Sequence, residues 1–206
     1  MKFPERDRVL IVADGPSARP LASMKIPDSI YVIAVNAAVQ WVSRADAFFT
    51  LDPSPRNQHF MRDQRKGVRY FAAVPADYGT RTARCHAHRL PKAVISRVEF
   101  LQRIPGPGPE SSKAGMCPFD HAIHSGNSAW GALGLAHKMN PSRIGLAGVD
   151  ANSAQRTSGG HARSLSHLPW LFSTYDGSAE IMNGSIHSSV SCFPRCNLDH
   201  LIRWLQ

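Results

Sequence analysis

Asp14, Asn36, Asp52 and Asp150 each close a short apolar run, and that recurrence is where chemistry can be read from this sequence. In RVLIVADGPS (8–17) the run stops at Asp14-Gly15-Pro16-Ser17, and in IYVIAVN (30–36) it stops at Asn36. In ADAFFTLD (45–52) it stops at Asp52, followed by Pro53-Ser54, and in RIGLAGVD (143–150) at Asp150. Side by side in a parallel sheet, such ends line one carboxyl edge, where open α/β sheets hold nucleotides. Gly15 lets the backbone come close to a ligand, Pro16 fixes φ, and Ser17 can cap the helix that follows. Ahead of SAWGALGLAHKM (128–139), Ser125-Gly126-Asn127 forms a second turn of this kind. Ser125 or Asn127 is its N-cap, leaving free N–H groups and the positive end of a helix dipole at the same rim.

Two histidines follow Asp150 in a Ser/Gly-rich loop, His161 and His167. Either suits a general base, since imidazole titrates near neutrality. Helix N–H groups with nearby Arg or Lys would offset the charge on a departing phosphate. Asp14, Asp52 and Asp150 could together bind Mg²⁺ with substrate phosphates, and His161, His167 and an Asp could hold a transition metal. Cys192 and Cys196, spaced CxxxC with no second pair, make a poor zinc site and read as buried thiols. His187, between NGS and CFP, reads as a turn residue packed under the terminal helix.

These residues need a scaffold, and the composition supplies one. A chain of 206 residues, 43% hydrophobic and 19% charged, fits a single globular domain without staples. The β-rich runs alternating with helical spacing predict a Rossmann-like open, mostly parallel sheet with helices on both faces. No run approaches 18 apolar residues, and MKFPERDR has no apolar core, so neither a membrane span nor a secretory signal is expected. Four scattered cysteines point to a reducing, cytoplasmic setting. The net charge of +9 favours polyanionic partners. Much of it lies in segment 56–103, where Arg and Lys interleave with His59, His86, His88, Phe60, Tyr70 and Tyr78. That segment could grip phosphates or nucleic acid, although no binding motif of fixed spacing accompanies it.

Along the chain, AAVQWVSR (37–44) and segment 55–66 carry helical spacing, and GVRYFAAV (67–74) reads as a fourth strand. AVISRVEFLQRI (93–104) fits a strand or an amphipathic helix equally well. IPGPGPESSKAG (104–115), with three prolines and three glycines, reads as a mobile loop. PWLFSTYDGSAEIM suggests a helix and a short strand, and NLDHLIRWLQ closes the chain as an amphipathic helix capped by Asn197.

The order of these pieces resembles a known group: a strand ending in GPS, one ending in Asn, one ending in DPS, then a Ser-Gly helix and a strand ending in GVD. It is similar to the family-42 sialyltransferases and to the related domains of motility-associated flagellin glycosyltransferases and archaeal-type hydroxymethylpterin diphosphokinases. The end, NGSIHSSVSCFPRCNLDHLI, looks like that of short phage-encoded members, which would place the chain in an infected or lysogenic host. The resemblance covers most of the chain except 76–115. It implies that Asp14, Gly15 and Ser17 form a phosphate or ribose loop, and that Asn36 and Asp52 meet nucleotide and donor sugar. It further implies that Ser125 and Gly126 hold donor phosphate, that Asp150 sits beside the nucleotide, and that the base is His161 or His167. Asp14 and Asp52 replace the usual Asn, and Ala122 stands where the family has an Arg. The expected activity is transfer from a CMP- or other nucleotide-linked sugar to a glycan or a modified DNA base. The alternatives are an ATP/Mg²⁺-dependent diphosphokinase and a non-catalytic phage protein binding nucleotide or nucleic acid.

Overall fold

Runs of β-branched and aromatic residues with no polar alternation can be buried only between two layers. A computed structural model of the chain describes residues 3–76, 90–161 and 165–206 and shows that arrangement. The strands are β1 (Arg8–Val12), β2 (Tyr31–Val35), β3 (Ala47–Thr50) and β4 (Arg69–Val74), followed by β5 (Val98–Ile104), β6 (Ala122–His124), β7 (Arg143–Ala147) and β8 (Glu180–Asn183). All pair in parallel in one sheet of order β6-β5-β4-β3-β2-β1-β7-β8. Val9 through Val12 are wholly excluded from solvent, as a central strand covered on both faces must be.

The helices are α1 (Ala38–Trp41), α2 (Pro55–Arg62), α3 (Lys92–Ile95), α4 (Ser128–His137), α5 (Leu168–Ser173) and α6 (Leu198–Trp204), with a 3-10 turn over Pro16–Ala22. Residues of that turn and of α1, α2, α3 and α6 share one core with Leu10, Val32 and Phe48. Residues of α4 and α5 share the other with Ile11, Ile33 and Phe49. The split follows from right-handed crossovers. Connections stepping from β1 out to β5 lie on one face, and the return through α4 to β7 lies on the other, where the β5–β6 connection also packs, Met116 sharing the core of α4 and α5. The stepping direction therefore reverses between β1 and β7, and a crevice opens at their carboxyl ends.

The strand ends predicted from sequence overshoot slightly. β1 stops at Val12, β3 at Thr50 and β7 at Ala147, so Asp14, Asp52 and Asp150 lie in the loops just beyond. Segment 93–104 resolves into both readings, the end of α3 and then β5. β6 has only three residues and was not expected. Within 104–115, Gly106 N–H bonds to Ser111 O (3.0 Å), Gly108 N–H to Ser112 O (3.0 Å), and Lys113 N–H to Ser125 O (2.9 Å). Asn197 caps α6 as expected, accepting from His200 N–H at 2.8 Å. Tyr78, Arg81, Arg84, Cys85, His86, His88 and Arg89 of the basic segment lie outside the described residues. No helix among the described residues is long and apolar enough to cross a membrane.

Candidate functional site

Two interlocked turns make the floor of the crevice. Gly15 N–H donates to Gly148 O (3.0 Å) and Ala13 N–H to Ala147 O (2.8 Å), so the chains leaving β1 and β7 run in contact. A Cβ on Gly15 would overlap Asp150 Oδ2 and the Gly148 carbonyl, and one on Gly148, at φ 71°, would overlap Ala13 O. Glycine is needed at both positions for this approach. The crevice above encloses ≈ 550 Å³ and is lined from β1 by Asp14, Gly15 and Pro16, from β2 by Asn36, and from β3 by Asp52 and Ser54. α2 adds Arg56, Asn57 and Phe60, α4 adds Asn127, Ser128 and Ala129, and the loop after β7 adds Asp150, Asn152, Arg156, His161 and Leu165. That volume lies within the range of small-molecule pockets.

The polar groups here are in three different conditions. Some are occupied by protein. Asp14 Oδ1 accepts from Trp41 Nε1 (3.1 Å) and Ser158 N–H (3.1 Å), and Oδ2 accepts from Ser158 Oγ. Asp150, 5% exposed, accepts from Ser17 N–H (3.2 Å) and from Ser185 Oγ. Others are open: Asp52 and Arg56 are exposed, and neither side chain has a hydrogen-bond or ion-pair partner among the described residues. Arg156, half-buried, likewise has a guanidinium free of protein partners there. One is buried and unmet: Asn36, held at φ 52°, has Oδ1 shielded from water with no donor to satisfy it. An unmet buried acceptor costs about 1–3 kcal/mol.

Two guanidiniums and two helix N-termini bring positive charge to the crevice, set against the carboxylates of Asp14, Asp52 and Asp150. Both α2 and α4 point their N-termini at it, and neither has an acidic residue in its first turn. Ser54, the N-cap of α2, makes no side-chain cap, whereas Asn127 caps α4 by accepting from Ala129 N–H at 2.7 Å. Ser128 Oγ accepts from Leu51 N–H (3.2 Å), which fixes the start of α4 against the end of β3. His161 is exposed, and its Nδ1 lies 3.0 Å from Ser153 O. A carbonyl can only accept, so Nδ1 is the donor in this contact, and in the neutral ring Nε2 is the nitrogen with the lone pair.

The structure brings together Asp14, Gly15, Pro16, Asn36, Asp52, Ser54, Asn127, Asp150 and His161. It does not bring in four other candidates. Ser17 caps nothing; its N–H donates to Asp150, and its Oγ accepts from Gly148 N–H at 3.2 Å, so it is a strut beneath the floor. Ser125 is 5% exposed, with its N–H on Ile104 O (2.8 Å) as the chain leaves β6. Gly126 sits against Leu171, Ser112 and Trp130. His167 is 7% exposed at the start of α5, with both ring nitrogens shielded from solvent and unpartnered, so it cannot exchange protons with a ligand in the crevice. The three-carboxylate metal site is not formed either, because protein donors occupy Asp14 and Asp150. Among the described residues no group of three or more His, Cys, Asp or Glu is placed to hold a metal ion. Cys192 is exposed and Cys196 half-buried, both as free thiols, so the expectation of buried thiols holds for neither.

Sequence reasoning missed Arg156, Asn152, Asn57 and Ser128, and it saw Arg56 only as part of a basic stretch. Arg156 lies well past the end of β7 at Ala147, and nothing local marks where that loop folds. No family model, no curated protein and no solved structure matches this chain.

Proposed function

We propose that the chain is a transferase of the glycosyltransferase type, taking a sugar from a CMP- or other nucleotide-linked donor. One observation carries this reading. His161, Asn36 and two guanidiniums without a protein partner among the described residues, those of Arg56 and Arg156, line a single crevice at the switch point of a parallel sheet. The resemblance of the strand-end motifs to the sialyltransferase group supports the same reading.

In the proposed step, His161 Nε2 removes the proton from an acceptor hydroxyl, and that oxygen bonds to the anomeric carbon. The bond from that carbon to the phosphate oxygen breaks, and the electron pair leaves with the phosphate. Arg56, Arg156 and the N-termini of α2 and α4 offset the charge that develops there. Asn36 offers its side-chain amide to the nucleotide. Asp52, a free carboxylate, is suited to a sugar hydroxyl.

Calorimetry with CMP, UMP, ATP and nucleotide sugars, each with and without Mg²⁺, tests the reading. The expected result is a CMP or UMP complex that forms without Mg²⁺, and turnover of one nucleotide sugar. Asn36→Ala should weaken that complex about tenfold, the value of one hydrogen bond, and also lower the melting temperature modestly, because alanine resists the φ of 52°. His161→Gln should spare binding and lower turnover by about 10²–10⁴. Binding of ATP alone, and only with Mg²⁺, would favour a diphosphokinase. Absence of any nucleotide complex would end both enzyme readings.

A further inference from the structure

We infer that Asp14 is a positioning residue, whose carboxylate latches the 155–161 hairpin over the crevice and so sets Arg156 and His161. The latch itself stands on geometry alone; its consequence for the ligand rests on the nucleotide reading above.

Residues 155–161 form a narrow hairpin after β7. Gln155 and His161 pair in an antiparallel bridge, Arg156 N–H donates to Gly160 O (2.9 Å), and Gly159 N–H donates to Arg156 O (3.0 Å). His161 Nδ1–H is tied to Ser153 O within the same loop, so Arg156 and His161 travel with the hairpin. Gly159 and Gly160, at φ 88° and 74°, have open space where a Cβ would be. The tip therefore packs on nothing on that side.

Among the described residues, its hydrogen bonds to the body gather at Asp14 and Gly15. Ser158 N–H and Oγ–H both donate to the Asp14 carboxylate, Thr157 N–H donates to Asp14 O (2.9 Å), and Thr157 Oγ–H donates to Gly15 O (3.2 Å). On its other side the carboxylate accepts Trp41 Nε1–H from α1 (3.1 Å). Among the described residues the other hydrogen bond leaving segment 155–161 is that of His161 to Ser153 O, within the same loop. A carboxylate with both oxygens engaged in this way is poorly placed to meet an anionic ligand. It is well placed to hold a loop whose donors point at it.

The test measures the latch without ligand and its effect with CMP and UMP as probes. Hydrogen exchange by mass spectrometry should show Thr157 and Ser158 opening at least about tenfold faster in Asp14→Ala than in the native chain. Trypsin should cleave after Arg156 correspondingly faster. Ser158→Ala, at an exposed tip that leaves the Asp14–Trp41 bond intact, should do the same to a smaller degree, and it decides the matter alone if Asp14→Ala does not fold. Asp14→Asn should restore most of the protection, because its amide N–H₂ can donate to Ser158 Oγ. If the open hairpin cuts the binding-competent fraction to about a tenth, the affinity for CMP or UMP falls about tenfold.

Native-like exchange at 157–158 in both Asp14→Ala and Ser158→Ala would overturn the latch. Faster exchange with unchanged nucleotide affinity and turnover would overturn the positioning role while leaving the nucleotide reading intact. If the native chain binds no nucleotide, that reading falls, and the exchange result still decides whether the latch exists.

Discussion

Gly15 and Gly148 meet where β1 and β7 end, and the crevice floor depends on neither having a side chain. Gly15→Ala drives a Cβ into Asp150 and the Gly148 carbonyl, backbone and buried carboxylate rather than a flexible tip. Overpacking of this kind costs about 1–3 kcal/mol, or roughly 2–4 °C in melting temperature per kcal/mol at this chain length. Calorimetry should record that loss, and a native melting temperature in the variant would contradict the contact. A second residue-scale effect depends on pH. Burial holds His124 below the ordinary 6.5, against the opposing pull of the Gly115 and Ala114 carbonyls and Asp176. Burial and the neighbouring Lys138 do the same to His137. Both rings bind protons less readily folded than unfolded, so folding stability rises with pH in this range. Their contribution is complete above pH 6.5 and is lost as pH falls through the lowered values. Urea midpoints should drop on going from neutral to mildly acid buffer, and His137→Gln should flatten that profile. At this scale the sequence marks Asn36 and Asp150 because each follows an apolar run directly. It does not mark Arg156 or Asp14's role, which depend on a hairpin closing across 144 residues of chain.

α4 carries the most weight of any single element. It crosses beneath β1, β2 and β3 and delivers Asn127 and Ser128 to the crevice rim. Its small residues are close-packing positions, since a Cβ on Gly131 would lie 2.7 Å from the Phe49 ring. Gly131→Ala should therefore destabilise despite alanine's better helix propensity, by about 1–3 kcal/mol. A stabilised variant would show that α4 sits higher off the sheet. Removing the cap with Asn127→Ala should cost about 1 kcal/mol. β1, β2, β4 and β7 are legible for the same reason as α4: each is a continuous buried run, whose type burial alone determines. The short pieces are not. β6 contributes three residues to the sheet edge, too few to carry a period, and α3 merges into β5 within one apolar stretch. Topology supplies what periodicity lacks, since β6 is the last outward step before the chain returns through α4.

The charge of the whole molecule was legible, but its distribution was not. Within the basic stretch, Arg65 donates to Val39 O and Val42 O (both 2.8 Å), Arg69 forms a two-pronged pair with Glu99 (2.9 Å each), and Arg103 donates to Leu51 O (3.0 Å). These cations hold the fold together. Arg62, Lys66 and Lys92 remain exposed on the outside, while Arg56 faces the crevice. Two kinds of anion binding should therefore separate. Duplex DNA held by several surface cations through counterion release should lose about 10³-fold or more in affinity between 50 and 200 mM salt. A mononucleotide in the crevice, held also by Asn36 and two helix N-termini, should lose far less. Arg62→Glu with Lys66→Glu should weaken duplex binding and leave CMP affinity as it was, and Arg156→Ala should do the reverse. Competition between CMP and DNA with one common salt dependence would mean a single basic face binds both, and the crevice would then have no separate ligand of its own.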